Sequence, residues 1–220
     1  MHWALGGYPV LFALADGELD VAEQLAHANL VVQQRDTSNP NAMVAFGSQL
    51  ANIRLLQGRG AEAAALLARS VESNPDQIAS RSMWVAGLSQ AGDGGSPGLI
   101  VDLIERLAIA RDDALLLPAL ALAAEAAWCE TQRERPVEST AATQLVERIA
   151  PFAALHSHLN VFGTGGFYLG SMSHALGQAR AAAGDIEGAA DAIGASISGH
   201  DRLGGSCFAD RSRTALADLG

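Results

Sequence analysis

The sequence predicts an all-α fold, a right-handed superhelical solenoid built from about five helical hairpins and a terminal helix. Three observations carry this expectation. First, tight glycine turns recur at Leu14-Ala15-Asp16-Gly17, Leu56-Gln57-Gly58-Arg59, Gln90-Ala91-Gly92-Asp93 and Ala182-Ala183-Gly184-Asp185, with 41 residues from Gly17 to Gly58 and 34 from Gly58 to Gly92. Second, those periods are what stacked helical hairpins require, because a single hairpin cannot bury its own apolar face. Third, hydrophobic residues make up 49% of the 220 residues while aromatics are only 5%. Ala and Leu, the strongest helix formers, fill the difference.

Each element follows in order. Met1 to Ala15 and Leu19 to Gln34 are expected to form the first hairpin, with Val21, Leu25, Ala28 and Val32 as the packed stripe of its second helix. Asn39 reads as an N-cap with Pro40 at the first position of the next helix. Asn41 to Gln57 then pairs with Ala61 to Ser73, and Asn74-Pro75 repeats the same start ahead of Gln77 to Ala91. Leu99 to Arg111 completes the third hairpin. The next helix runs to about Cys129, and Pro118 must lie in its first turn, which places its N-cap near Asp113 or Ala114. This helix is apolar on nearly every side and belongs at the centre of the array. Glu130 to Pro136 supplies a longer polar link where a glycine turn is expected, and Glu138 to Ala153 returns. His156 to Gly166 reads as an extended segment. Phe167 to Ala183 and Ile186 to Arg202 form the last hairpin, and Ser206 to Leu219 the terminal helix. Residues 1–220 read as a single domain.

Composition excludes several functions. With 14 basic and 24 acidic residues the net charge is −10, and the arginines are scattered, so no basic face exists to bind nucleic acid directly. All 14 basic residues are arginine. Without lysine the chain has neither a Walker-type phosphate loop nor a Schiff base. Cys129 and Cys207 are too sparse for a disulfide framework, which suits a reducing cytoplasm. The N-terminus lacks the basic region of a signal peptide. The longest apolar run, Ala114 to Cys129, is too short to span a bilayer and contains Glu125. No ordered nucleophile motif and no C-x-x-C or H-x-x-x-H pattern appears, so no catalytic residue, metal or cofactor is expected.

Candidate binding residues remain. Ser48, Gln49 and Asn52 share one helix face, with Arg81 and Trp84 on the equivalent helix of the next hairpin; together they suit a groove for a peptide or small molecule. Glu125, a lone carboxylate in an apolar helix, requires a partner if buried. Arg111, Arg148 and loop amides are candidates for that role, and a groove ligand is the alternative. Gly163 to Gly170 is placed to cradle an anion at the start of a helix at Phe167, although Tyr168 stands where a dinucleotide fingerprint needs its third glycine. The plainer reading is close backbone packing. His156, His158 and His174 read as surface or loop histidines.

Three stretches carry a resemblance. They are Asp113 to Ala126 with its Pro118 and Glu125; Phe162 to Ser171, followed by Leu176-Gly177 and the Ala183-Gly184-Asp185 turn; and Asn39-Pro40-Asn41-Ala42 with Leu56-Gln57-Gly58-Arg59. Together they resemble the tetratricopeptide-like C-terminal region of large bacterial multidomain regulators. In that family an ATPase module, with an adenylate cyclase or a LuxR-type transcriptional DNA-binding domain, joins a helical solenoid. The family's ATPase, cyclase and DNA-binding motifs have no counterpart here, and Glu130 to Pro136 departs from its glycine turn. The resemblance implies a non-catalytic scaffold for protein–protein or interdomain contact. A small-molecule sensor, with Glu125, Trp84 and Tyr168 as its polar and aromatic contacts, is the competing expectation. Met1 opens directly into a repeat helix without a polar cap, which suggests an excised piece whose apolar end promotes dimerisation.

Overall fold

The computed structural model describes residues 2–35, 42–111, 114–156, 160–163, 167–203 and 205–220. Within them lie eleven helices and a two-stranded antiparallel sheet. The helices are α1 (His2–Ala15), α2 (Leu19–Gln34), α3 (Ala42–Leu56), α4 (Gly60–Ser73), α5 (Ile78–Ala91), α6 (Ser96–Ile109), α7 (Leu116–Thr131), α8 (Ser139–His156), α9 (Met172–Ala182), α10 (Ile186–Leu203) and α11 (Ser206–Ala217). Strands β1 (Asn160–Gly163) and β2 (Phe167–Ser171) sit between α8 and α9. The all-helical expectation is met. Among the described residues no helix is long and apolar enough to cross a membrane.

The hairpins close through one repeated device. Gly17, Gly58, Gly92 and Gly184 take φ values of +78°, +74°, +80° and +84°. At each, the glycine amide bonds back three residues and the following amide bonds back five, as in Gly92 N to Ser89 O (3.0 Å) and Asp93 N to Leu88 O (3.0 Å). This is a Schellman motif, which satisfies the helix's last carbonyls and reverses the chain. The polar link after α7 turns out to be the same motif. Glu134 N bonds to Thr131 O (3.0 Å) and Arg135 N to Glu130 O (2.9 Å), with Glu134 at φ +58° in the glycine position. The left-handed region costs a side-chain-bearing residue about 1–2 kcal/mol, so neighbouring contacts must hold it. Glu130 is fully buried, 2.8 Å from Arg135 Nη2, and accepts from Ser96 Oγ at 2.6 Å. Arg133 donates to the carbonyls of Cys129 (3.0 Å) and Gln90 (2.7 Å). The turn is therefore pinned from both ends to α5 and α6.

Hairpin helices pack side by side, and the first helices form a row in which α5 touches α3 and α7, and α7 touches α9. On the other side α6 meets α8. α4 lies close on α5, where a Cβ on Gly60 would fall 2.5 Å from the Gly87 carbonyl oxygen. α7 is central as expected. Of its residues from Leu116 to Glu130 only Leu117, Glu125 and Cys129 escape full burial, and it contacts α5, α6, α8, α9 and both strands. Pro118 lies in its first turn, after an N-cap at Leu115.

Four local expectations are corrected. The buried positions of α2 are Ala22, Ala26 and Gln33, while Val21 and Val32 are exposed; the hairpin closes on its small side chains, so the larger ones are displaced outward. Asn74 caps the end of α4 instead of starting α5, whose N-cap is Gln77. α6 begins at Ser96, with Pro97 in its first turn. Phe167 opens a strand, not a helix: β2 pairs with β1 through Asn160 opposite Ser171 and Val161 opposite Gly170. The Asn39 cap with Pro40, and Asp113, lie outside the described residues.

The turn geometry yields a pair of opposite outcomes. Glu134→Gly removes the left-handed penalty and is expected to raise stability by about 0.5–1 kcal/mol, net of the entropy glycine adds to the unfolded chain. Gly58→Ala introduces the penalty at a site where a Cβ would meet nothing within 4 Å, so strain alone should lower stability by about 1 kcal/mol. Urea denaturation of both variants checks this. A destabilised Glu134→Gly chain would show that the fifth turn is not strained.

Candidate functional site

Five elements converge on a small cavity of about 20 Å³, largely apolar with a few polar groups. α3 contributes Asn52, α7 Glu125, β2 Leu169, α9 His174 and Gln178, and α11 Arg211, with Leu55, Leu56, Ala121, Leu122 and Ala175 as the apolar wall. Glu125 reaches it because Ala121, Leu122 and Glu125 share one face of α7 at helical spacing. His174 and Gln178 stand one turn apart on α9, whose N-terminus is capped by Ser171 Oγ accepting from His174 N (3.2 Å).

Glu125 is an ion-pair anchor. Its Oε2 lies 2.6 Å from Arg211 Nη2 and accepts from Gln178 Nε2 at 2.5 Å. Neither partner is one that the sequence suggested: Arg148 donates instead to the carbonyls of Leu107 (3.4 Å) and Ala110 (2.9 Å), and Arg111 is exposed. Burial by itself would raise the Glu125 carboxyl, but the Arg211 charge and the Gln178 hydrogen bond outweigh it and hold the group below the usual glutamate range. Glu125 is therefore ionised at neutral pH.

His174 is buried, not a surface histidine. Desolvation, reinforced by the Arg211 charge, pushes its pKa down to about 3, which keeps the imidazole neutral. Its Nδ1 is 2.9 Å from Ser212 Oγ, Ser212 is 3.1 Å from Ser196 Oγ, and Ser171 Oγ donates to Ser196 at 2.8 Å. Three buried serines thus link α9, α10 and α11. Cys129, beside this region, has its thiol pushed up to about 12, first by burial and then by the Glu125 charge, so it is not a thiolate at neutral pH.

The seven residues expected to line a groove are divided. Asn52 and Glu125 share the cavity, and Tyr168 joins them through its backbone amide, which donates to Asn52 Oδ1 at 3.1 Å. The Tyr168 ring is buried edge-on against Phe208, with centroids 4.5 Å apart. Gln49 is buried on α3, so β2 and its neighbours cover the face on which Gln49 and Asn52 were expected to meet a ligand. Arg81 lies elsewhere, 2.5 Å from Asp102 of α6. Trp84 borders a separate open groove of about 400 Å³ between α4 and α5, floored by Ala61, Ala64, Ala65, Ala68 and Ala91. Ser48 is turned back onto the Val44 carbonyl (3.0 Å).

The helix that the anion alternative needed at Phe167 starts instead at Met172, where Ser171 caps it; Thr164 to Gly166 lie outside the described residues, as do His158 and the side chain of His156. Among the described residues no three His, Cys, Asp or Glu side chains gather as a metal site.

Sequence reasoning missed Gln178, Arg211 and the buried Glu130. A signal was present for the first: from Ser171 at its cap, His174 and Gln178 recur at helical spacing along an alanine-rich helix, a polar stripe that an interior position would have to satisfy internally. Comparisons with family models, with curated proteins and with solved structures find no match.

Glu125→Ala is expected to cost about 2 kcal/mol, in the range for hydrogen bonds to charged groups. The full penalty of a stranded buried charge does not apply, because the Arg211 side chain is 32% exposed and can rehydrate. Glu125→Gln keeps the shape and should cost clearly less. Chemical denaturation of both variants is the check, and an alanine variant within about 0.5 kcal/mol of the parent would show that the carboxylate anchors nothing.

Proposed function

We propose that this chain is a non-catalytic helical-repeat module that works by binding protein, the tetratricopeptide-like part of a bacterial cytoplasmic signalling or transcription regulator. The repeated Schellman turns and the row of first helices support a solenoid of this type. The resemblance to the helical region of large bacterial regulators supports the setting. At about 20 Å³ the cavity beside Glu125 is far below the roughly 300–1,000 Å³ of small-molecule sites, so a sensor would have to use the open groove of about 400 Å³ at Trp84, away from Glu125 and Tyr168.

One observation carries the binding role. α1 contains no Asp, Glu, Lys or Arg, and a helix of that kind is normally covered on all sides. Yet Tyr8 is 50% and Phe12 61% exposed, their rings stacked with centroids 6.4 Å apart. Exposed apolar surface of this sort marks an interaction site. In a solution of the isolated chain its occupant is the α1 of a second copy. An uncharged helix lets two molecules of net charge −10 meet without opposing like charges directly.

Sedimentation velocity over a concentration series tests this. The parent chain is expected to self-associate, and the Tyr8→Glu/Phe12→Glu double variant to remain monomeric with unchanged helical circular dichroism. A parent that stays monomeric up to its solubility limit, or a double variant that associates equally well, contradicts the proposal.

A further inference from the structure

We infer that the cavity between α3, α7, α9 and α11 is a binding site for one water molecule, held by the Asn52 amide and the His174 imidazole and shared with Glu125. The inference rests on two buried donors left without an acceptor. Asn52 is fully buried and spends its Oδ1 on the Tyr168 amide, while its Nδ2 has no protein partner. His174 is buried and spends its Nδ1 on Ser212, while its Nε2 has no protein partner. Both residues border the same cavity. Nδ2 and Nε2 are the atoms each has left to offer it.

Proton accounting along the serine chain sets the imidazole's tautomer. Ser171 donates to Ser196, and each hydroxyl carries one proton. The relay that gives each of these protons an acceptor within the chain has Ser196 donating to Ser212 and Ser212 to His174 Nδ1. An accepting Nδ1 places the ring proton on Nε2, so the cavity receives two N–H donors. Its occupant must be an acceptor.

Size and charge select which acceptor. A volume of about 20 Å³ accommodates one water, which needs roughly 10–15 Å³ on this measure, and nothing much larger. The Arg211 charge on the same wall is already taken by Glu125, so the wall offers no net charge to hold an anion, and the two donors oppose a cation. Water accepts from Asn52 and His174 through its two lone pairs and has protons to give to Glu125. It thereby links α3 to α9 across α7, where no direct hydrogen bond joins Asn52 to His174.

Proton–nitrogen NMR of the whole chain tests the site. Histidine nitrogen shifts should identify His174 as the Nε2–H tautomer, and water-selective Overhauser spectra should show long-lived water at both the Asn52 side-chain amide and the His174 Nε2 proton. In parallel, magnetic relaxation dispersion should count one fewer long-lived water in His174→Asn, whose amide oxygen can stand in for Nδ1 toward Ser212 while Nε2 is lost. An Nδ1–H tautomer, water at neither group, or an unchanged count in a folded His174→Asn chain overturns the inference. Should that variant fail to fold, the parent spectra decide alone.

Discussion

The rest of this structure depends on a helix that cannot face water. From Leu116 to Trp128 α7 offers a single charged side chain, Glu125, so it must be enclosed by protein on nearly every side. Its neighbours α5, α6, α8, α9 and the two strands supply that enclosure. Enclosure makes any polar group on α7 expensive unless it is partnered. Glu125 and Glu130 are both partnered, each by other parts of the chain: Glu125 by α9 and α11, Glu130 by the start of α6 and by Arg135 just beyond α7. The carboxylates convert a nonspecific burial into a specific register. A helix that is apolar all round could slide or rotate at little cost, whereas two fixed ion pairs on different faces permit one arrangement.

The same logic explains the turn after α7. Four hairpins use glycine at the left-handed position, where it carries no steric penalty. The fifth uses Glu134, and the strain is tolerated because Glu130, Arg133 and Arg135 tie the adjoining backbone to α5 and α6. Sequence repetition is broken there, but backbone geometry is not. A repeat defined by its hydrogen bonds therefore persists where a repeat defined by its residues lapses.

Helix positions were legible in the sequence because glycine turns and prolines punctuate it locally. The strands were less so: β2 spans only Phe167–Ser171, and its pairing with β1 and the packing of Phe208 over Gly170 come from parts of the chain that no local pattern joins. The face of α2 was misjudged because size suggested Val21 and Val32 as interior, while close helix approach selects alanine. Glu125 was recognisable as a residue needing a partner, yet its partners lie on α9 and α11, and residue type alone could not separate Arg211 from Arg148. A lone histidine has no sequence signature, so nothing local marks His174 as interior; its polar partners come from Ser212 of α11, with Ser196 of α10 and Ser171 of β2 beyond it.

These features connect the fold to the proposed role. The carboxylates of α7 are taken up by structural pairs, while the uncharged α1 exposes Tyr8 and Phe12 side by side. The central claim is that α7 is the enclosed axis on which the other elements depend, and native-state hydrogen exchange tests it most directly. Amides of α7 from Ala119 to Trp128 should exchange only through global unfolding, with a free energy equal to that from denaturation and a full response to denaturant. Exchange of those amides through low-energy local openings, while α2 or α10 remains protected, would contradict the account.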